Sequence, residues 1–171
     1  MNYLQIFFLV FLIFEFELNP DEANISLYEA NIRFEDWYEY YEKEDSNKVI
    51  VNGGYNIFYL DENVNFSLIF FKEKAYSSSL IIYDYDCNEL GGFLKMIEKI
   101  GFAEVNSYNF SLFPTKKTGY SYKKNNLLID IVLSEWIDEK IINISSINNR
   151  ITISFINKEL NENYILKRTL K

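Results

Sequence analysis

The chain has 171 residues, about one domain's length, with 49% hydrophobic and 18% aromatic residues. That is enough apolar material for a packed core, and two prolines and six glycines exclude collagen-like and low-complexity classes. Histidine is absent and Cys87 is the only cysteine, which excludes Ser-His-Asp and Cys-His nucleophile systems, His-ligated and all-Cys zinc sites, and an intrachain disulfide framework.

Leu4 to Phe14 reads LQIFFLVFLIF, too short for a membrane-spanning helix of about 20 residues. No Lys or Arg precedes Arg33, and no small-x-small cleavage site follows the run, as a secretory signal would require. The run passes into Phe14-Glu15-Phe16-Glu17-Leu18, an alternation that predicts a strand with one buried face. Residues 1–20 are therefore expected as a buried strand, with an export signal or anchor as the alternative. Four Asn-x-Ser sequons, at Asn24, Asn65, Asn109 and Asn143, carry little weight among twenty asparagines.

A net charge of −8 and a pI near 4.7 argue against duplex nucleic acid, which needs a clustered positive surface. From Glu15 to Asp45, eleven acidic residues face only Arg33 and Lys43, a net of −9. Within this block Phe34, Trp37, Tyr38 and Tyr41 recur at helical spacing, and Glu35, Asp36, Glu39 and Glu42 fall on the other side. Such a helix either turns a solvated face outward or presents an acidic docking surface that steers a basic partner. Only Glu39 of these four has a lysine at i+4, Lys43, and Glu35, Asp36 and Glu42 lack that usual companion of a solvated carboxylate. Glu35, Asp36, Glu39, Glu42 and the aromatic Tyr40 are the candidate partner-binding residues.

Val49–Val51 and Tyr55–Tyr59 flank Asn52-Gly53-Gly54 and predict a tight hairpin. Turns at Asp61–Asn63 and Ser77–Ser79 then delimit strands Val64–Phe71 and Leu80–Tyr85. The segment Leu80 to Asp86, LIIYDYD, resembles the first motif of haloacid-dehalogenase-type phosphatases. That resemblance implies Asp84 as nucleophile and Asp86 as acid/base beside magnesium. It covers seven residues, Asn88 replaces the usual Thr or Val, and the helical crossovers of a parallel sheet are not visible. A calcium loop from Asp84, Asp86 and Asn88 fails at Lys95, which stands where a bidentate Glu belongs.

The simpler reading makes Asp86 the N-cap of a helix with apolar face Leu90, Phe93, Leu94, Ile97 and Ile100 and a C-terminal Gly101. Gly91 and Gly92 weaken its first turns, and a close approach to the sheet would account for them. Cys87 reads as a small core residue. Phe102–Val105, Tyr108–Phe113, Tyr120–Tyr122, Leu127–Leu133, Ile141–Ser145 and Ile151–Ile156 follow as short strands, with Trp136 in a brief helical turn and a polar, partly helical tail at 157–171. Lys116 to Lys124 interleaves four lysines with Tyr120 and Tyr122, which suits either single-stranded nucleic acid or a charged, soluble hairpin.

Strands in runs with helices set apart predict one α+β domain over 1–171 with a mainly antiparallel sheet. The expected role is a non-enzymatic, acidic protein-binding domain that neutralises a basic protein partner, with no catalytic residue, metal or cofactor. Small immunity proteins of bacterial toxin systems are similar in size, charge and lack of catalytic groups, which implies a toxin as partner. The expected compartment is the cytoplasm. The alternative is an exported or envelope domain, with membrane association only through residues 4–14.

Overall fold

The computed structural model describes residues 3–19, 22–23, 58–61, 64–71, 74–113, 115–136 and 149–162. The amino-terminal run is a helix, α1 (Tyr3–Glu15), and the expected strand is corrected. Ile6, Phe7, Val10, Phe11, Ile13 and Phe14 are buried, whereas Gln5, Phe8 and Leu12 are exposed. That spacing is one face of a helix, whereas a strand would bury alternate residues. The alternation at Phe14–Leu18 is the helix end. Glu17 adopts a left-handed φ of 51°, its N–H bonds to Phe14 O at 3.3 Å, and Leu18 N–H bonds to Ile13 O at 3.1 Å. This paired arrangement satisfies carbonyls that the last turn would otherwise leave open. Glu22 N–H then donates to Asn19 Oδ1 at 2.9 Å and Asn19 N–H to Glu22 Oε2 at 3.3 Å, a reciprocal capping box ahead of helical residues 22–23.

Seven strands form one antiparallel sheet: β1 (Phe58–Asp61), β2 (Val64–Phe71), β3 (Lys74–Tyr83), β4 (Ala103–Leu112), β5 (Thr115–Lys124), β6 (Leu127–Trp136) and β7 (Arg150–Asn157). Their spatial order is β1-β2-β3-β7-β6-β5-β4, so the last strand enters the middle and joins two meanders. Between β3 and β4 a 3₁₀ turn (Cys87–Glu89) leads into α2 (Leu90–Lys99). The fold is α+β with an antiparallel sheet, as the pattern of strands predicts. None of the described helices is long and apolar enough to cross a membrane.

Register explains why one face of the sheet is apolar. Phe66, Leu80, Ile153 and Ile131 line up across four strands, and Leu68, Ser78, Phe155, Ile129 and Tyr122 form the next row. All are buried, and α1 lies over β3 and β7 on this face. Phe7 meets Phe93 of α2 edge-on at 5.1 Å and Phe155 of β7 at 5.2 Å, while Phe14 stacks on Phe155 at 5.6 Å. Lys124 of β5 ties down the far end of α1. Its Nζ bonds to Glu15 Oε1 at 2.8 Å and lies 5.3 Å from the Phe11 ring centre. Glu17 pairs with Lys74 in the same region.

Several boundaries move. Ser77–Ser79 is strand rather than turn, because Ser78 fills a core position and Ser79 Oγ meets Ser154 Oγ at 3.1 Å on the neighbouring strand. The two strands expected between Phe102 and Phe113 are one, β4, with an irregularity between Glu104 and Asn106. Trp136 ends β6, opposite Thr115, and is not in a helical turn. Gly91 and Gly92 are exposed, with nothing within 4 Å of an added Cβ, so they do not serve close packing. Gly101 does what its position predicts: φ is 98°, and Phe102 N–H reaches Ile97 O at 3.3 Å. Val49–Ile57 and Ile141–Ser145 lie outside the described residues, while Phe58 and Tyr59 belong to β1. Of the tail expected to be partly helical, residues 158–162 are helical and 163–171 lie outside the described residues.

Candidate functional site

Glu35, Asp36, Glu39, Glu42 and Tyr40 lie outside the described residues, as do Phe34, Trp37, Tyr38 and Tyr41. Three members of the acidic block are described, and each has a structural task. Glu15 holds Lys124, Glu17 pairs with Lys74, and Glu22 closes the capping box at Asn19. Eight further carboxylates, from Asp21 to Asp45, face Arg33 and Lys43.

Asp84 and Asp86 follow a strand whose neighbours on both sides are antiparallel, unlike the parallel sheet that the phosphatase resemblance implies. Asp86 Oδ1 accepts from Asn88 N–H and Asn88 Nδ2, both at 2.9 Å, which makes it the N-cap of the 3₁₀ turn. Asp84 is exposed at a left-handed φ of 54°, a conformation Asp tolerates in turns. Among the described residues no three acidic or Cys side chains come together as a metal site.

Cys87 is half-buried beside Asn149, whose Nδ2 lies 3.7 Å from Sγ. Burial, and then the charge of Glu135, pushes the thiol pKa up, which opposes the activation a helix start can give. The thiol stays protonated and packs against the core.

The lysine- and tyrosine-rich segment is β5, and alternation divides it. Tyr120 and Tyr122 face the helices, with Tyr122 fully buried opposite Ile129. Burial and the nearby Glu104 and Glu98 raise the Tyr122 phenol to a pKa of about 12. Lys124 is held by Glu15, and Lys116 meets Glu135 at 3.2 Å. Lys117 and Lys123 occupy odd positions, on the opposite face from the tyrosines. Within β5, Tyr120 and Tyr122 therefore share no face with Lys117 and Lys123, and Lys116 and Lys124, on the tyrosine face, are paired with carboxylates.

An unexpected surface lies next to it. Every side chain of β4 is exposed. Val105, Tyr108, Phe110, Leu112 and Phe113 are 40–70% exposed and supply five of the eight large exposed hydrophobic residues among those described. Tyr108 and Phe110 stack at 5.9 Å on the sheet face away from α1. The Tyr108 ring lies directly on Gly119, where an added Cβ would sit 2.2 Å from its Cζ. Glycine in mid-strand is thus needed for the ring to lie flat. Tyr-x-Phe-x-Leu reads in sequence as an ordinary half-buried strand. The informative signals are the absence of charge from Val105 to Phe113 and the glycine opposite Tyr108.

The chain matches no protein-family model, and no curated protein or solved structure matches it.

Proposed function

We propose that this chain is a non-enzymatic protein-binding domain of the immunity or inhibitor type, whose acidic segment neutralises a basic protein partner. The observation that carries this reading is the concentration of nine carboxylates against two cations from Asp21 to Asp45. Among the described acids of the block, Glu15, Glu17 and Glu22 have internal partners, and they lie outside or at the start of that stretch. Glu35, Asp36, Glu39 and Glu42 speed encounter through long-range attraction, and Tyr40 is an aromatic anchor beside them. The structural employment of Asp86 and Cys87 supports a non-catalytic role for the turn that joins β3 to α2.

On this reading the chain works in the cytoplasm and keeps residues 3–15, which contribute six buried side chains to the core. A tagged full-length chain, incubated with lysate of its source and eluted in a salt gradient, tests the proposal. A stoichiometric basic protein released by salt, with Met1–Phe14 present on the recovered bait, is expected. Recovery of a bait that begins near residue 20, with no bound protein, would return the chain to the exported reading.

A further inference from the structure

Among the described strands β4 stands at one end of the sheet order, and all ten of its residues are exposed. Natural edge strands are usually blunted by lysine, proline or a covering element, because their free N–H and C=O groups invite another strand. β4 carries no lysine or proline, and no charge between Val105 and Leu112. An apolar side-chain row on one face completes a surface with both the backbone and the side-chain means to add a strand.

We propose that β4 is a self-complementary edge through which two copies of this chain join their sheets antiparallel, about a two-fold axis at Asn109. In this register Tyr108 stands opposite Phe110 of the second copy, and the reverse pair repeats across the axis. The intramolecular Tyr108–Phe110 stack thereby becomes a cluster of four rings on one face. On the other face Ser107 meets Ser111 of the second copy, and Asn109 meets itself. The two seven-stranded sheets become one continuous sheet.

The charge pattern along β4 suits a second copy, with an uncharged middle and a Glu104 that meets lysines. Each chain carries −8, yet the uncharged stretch lets two copies approach without opposing like charges. Glu104, the one charged residue of β4, is carried to the hairpin end of the second copy, where Lys116 and Lys117 lie. The same relation holds at the other end, as isologous symmetry requires. This proposal does not depend on the acidic segment, which lies in a different part of the chain.

Sedimentation velocity of the full-length chain, over a concentration series from micromolar to millimolar, tests it with the variants N109K and N109D. Asn109 is exposed, and far-UV circular dichroism checks that both variants stay folded. Wild type is expected to dimerise. Each variant alone sets like charges face to face and is expected to weaken the dimer by about fivefold or more, whereas their equimolar mixture restores it. A wild type that stays monomeric throughout overturns the proposal. So does an N109K variant that dimerises like wild type, or a mixture no tighter than either variant alone.

Discussion

Replacement of Phe7 by Ala probes whether α1 belongs to the folded core. Phe7 is fully buried and touches an aromatic ring on each of two other elements, Phe93 at 5.1 Å and Phe155 at 5.2 Å. Removing a buried Phe side chain costs about 3–5 kcal/mol, within which each ring pair contributes about 0.5–1.5 kcal/mol. With a urea slope of about 2 kcal/mol/M, a loss of about 4 kcal/mol moves the midpoint down by about 2 M. Phe8→Ala is the internal control. Its side chain is 38% exposed on the outer side of the same helix, and a loss of about 1 kcal/mol or less is expected. Urea titrations followed by circular dichroism measure both. Equal, small shifts for Phe7→Ala and Phe8→Ala would refute the core role of α1. Sensitivity at Ile6, Val10 and Ile13, with tolerance at Gln5 and Leu12, is the helical pattern that a strand could not give.

Three further outcomes are expected. Gly119→Val drives a side chain against the Tyr108 ring, which is exposed and can swing aside, and is expected to destabilise by about 1 kcal/mol or less. In a Tyr108→Ala background that penalty should vanish, and a double-mutant cycle by chemical denaturation reads the coupling. Asp86→Ala removes the cap at Asn88 N–H and is expected to cost about 1 kcal/mol, seen as a lower Tm. Tyr122 has a folded pKa raised to about 12 from 10, so the folded state holds its proton longer than the unfolded chain does. The associated stability is complete below pH 10 and lost as pH rises from 10 through 12. Denaturation at a series of alkaline pH values should show that loss in wild type, and a smaller one in Tyr122→Phe.

The elements legible in sequence are those whose local chemistry and packing agree. β6 and β7 alternate apolar residues on one face, and α2 is bracketed by Asp86 and Gly101, which adopt the geometries their chemistry favours. α1 was hidden because a run with one polar residue in eleven shows no period, while Phe14–Leu18 imitates a strand at the point where the helix ends. Ser77–Ser79 has the composition of a turn. Its position is fixed by neighbours far along the chain, Leu68 and Phe155 around Ser78 and Ser154 beside Ser79. The same dependence on distant neighbours separates β4 from an ordinary strand, since edge position comes from the order of the sheet. Of the candidate site, the acidic segment is legible as a charge block with aromatic residues at helical spacing. The division of β5 into a tyrosine face and an opposite lysine pair follows from alternation once the register with β6 is known.

The most direct measurement of the proposed function is the association rate with the captured partner across ionic strength. Wild type is compared with a variant carrying Glu35→Lys, Asp36→Lys, Glu39→Lys and Glu42→Lys. Circular dichroism confirms that the variant is folded. If the carboxylates steer a basic partner, the variant associates about tenfold or more slowly at low salt, and its rate depends less steeply on salt. An unchanged association rate at every ionic strength would contradict an acidic docking role and leave those carboxylates to solvent.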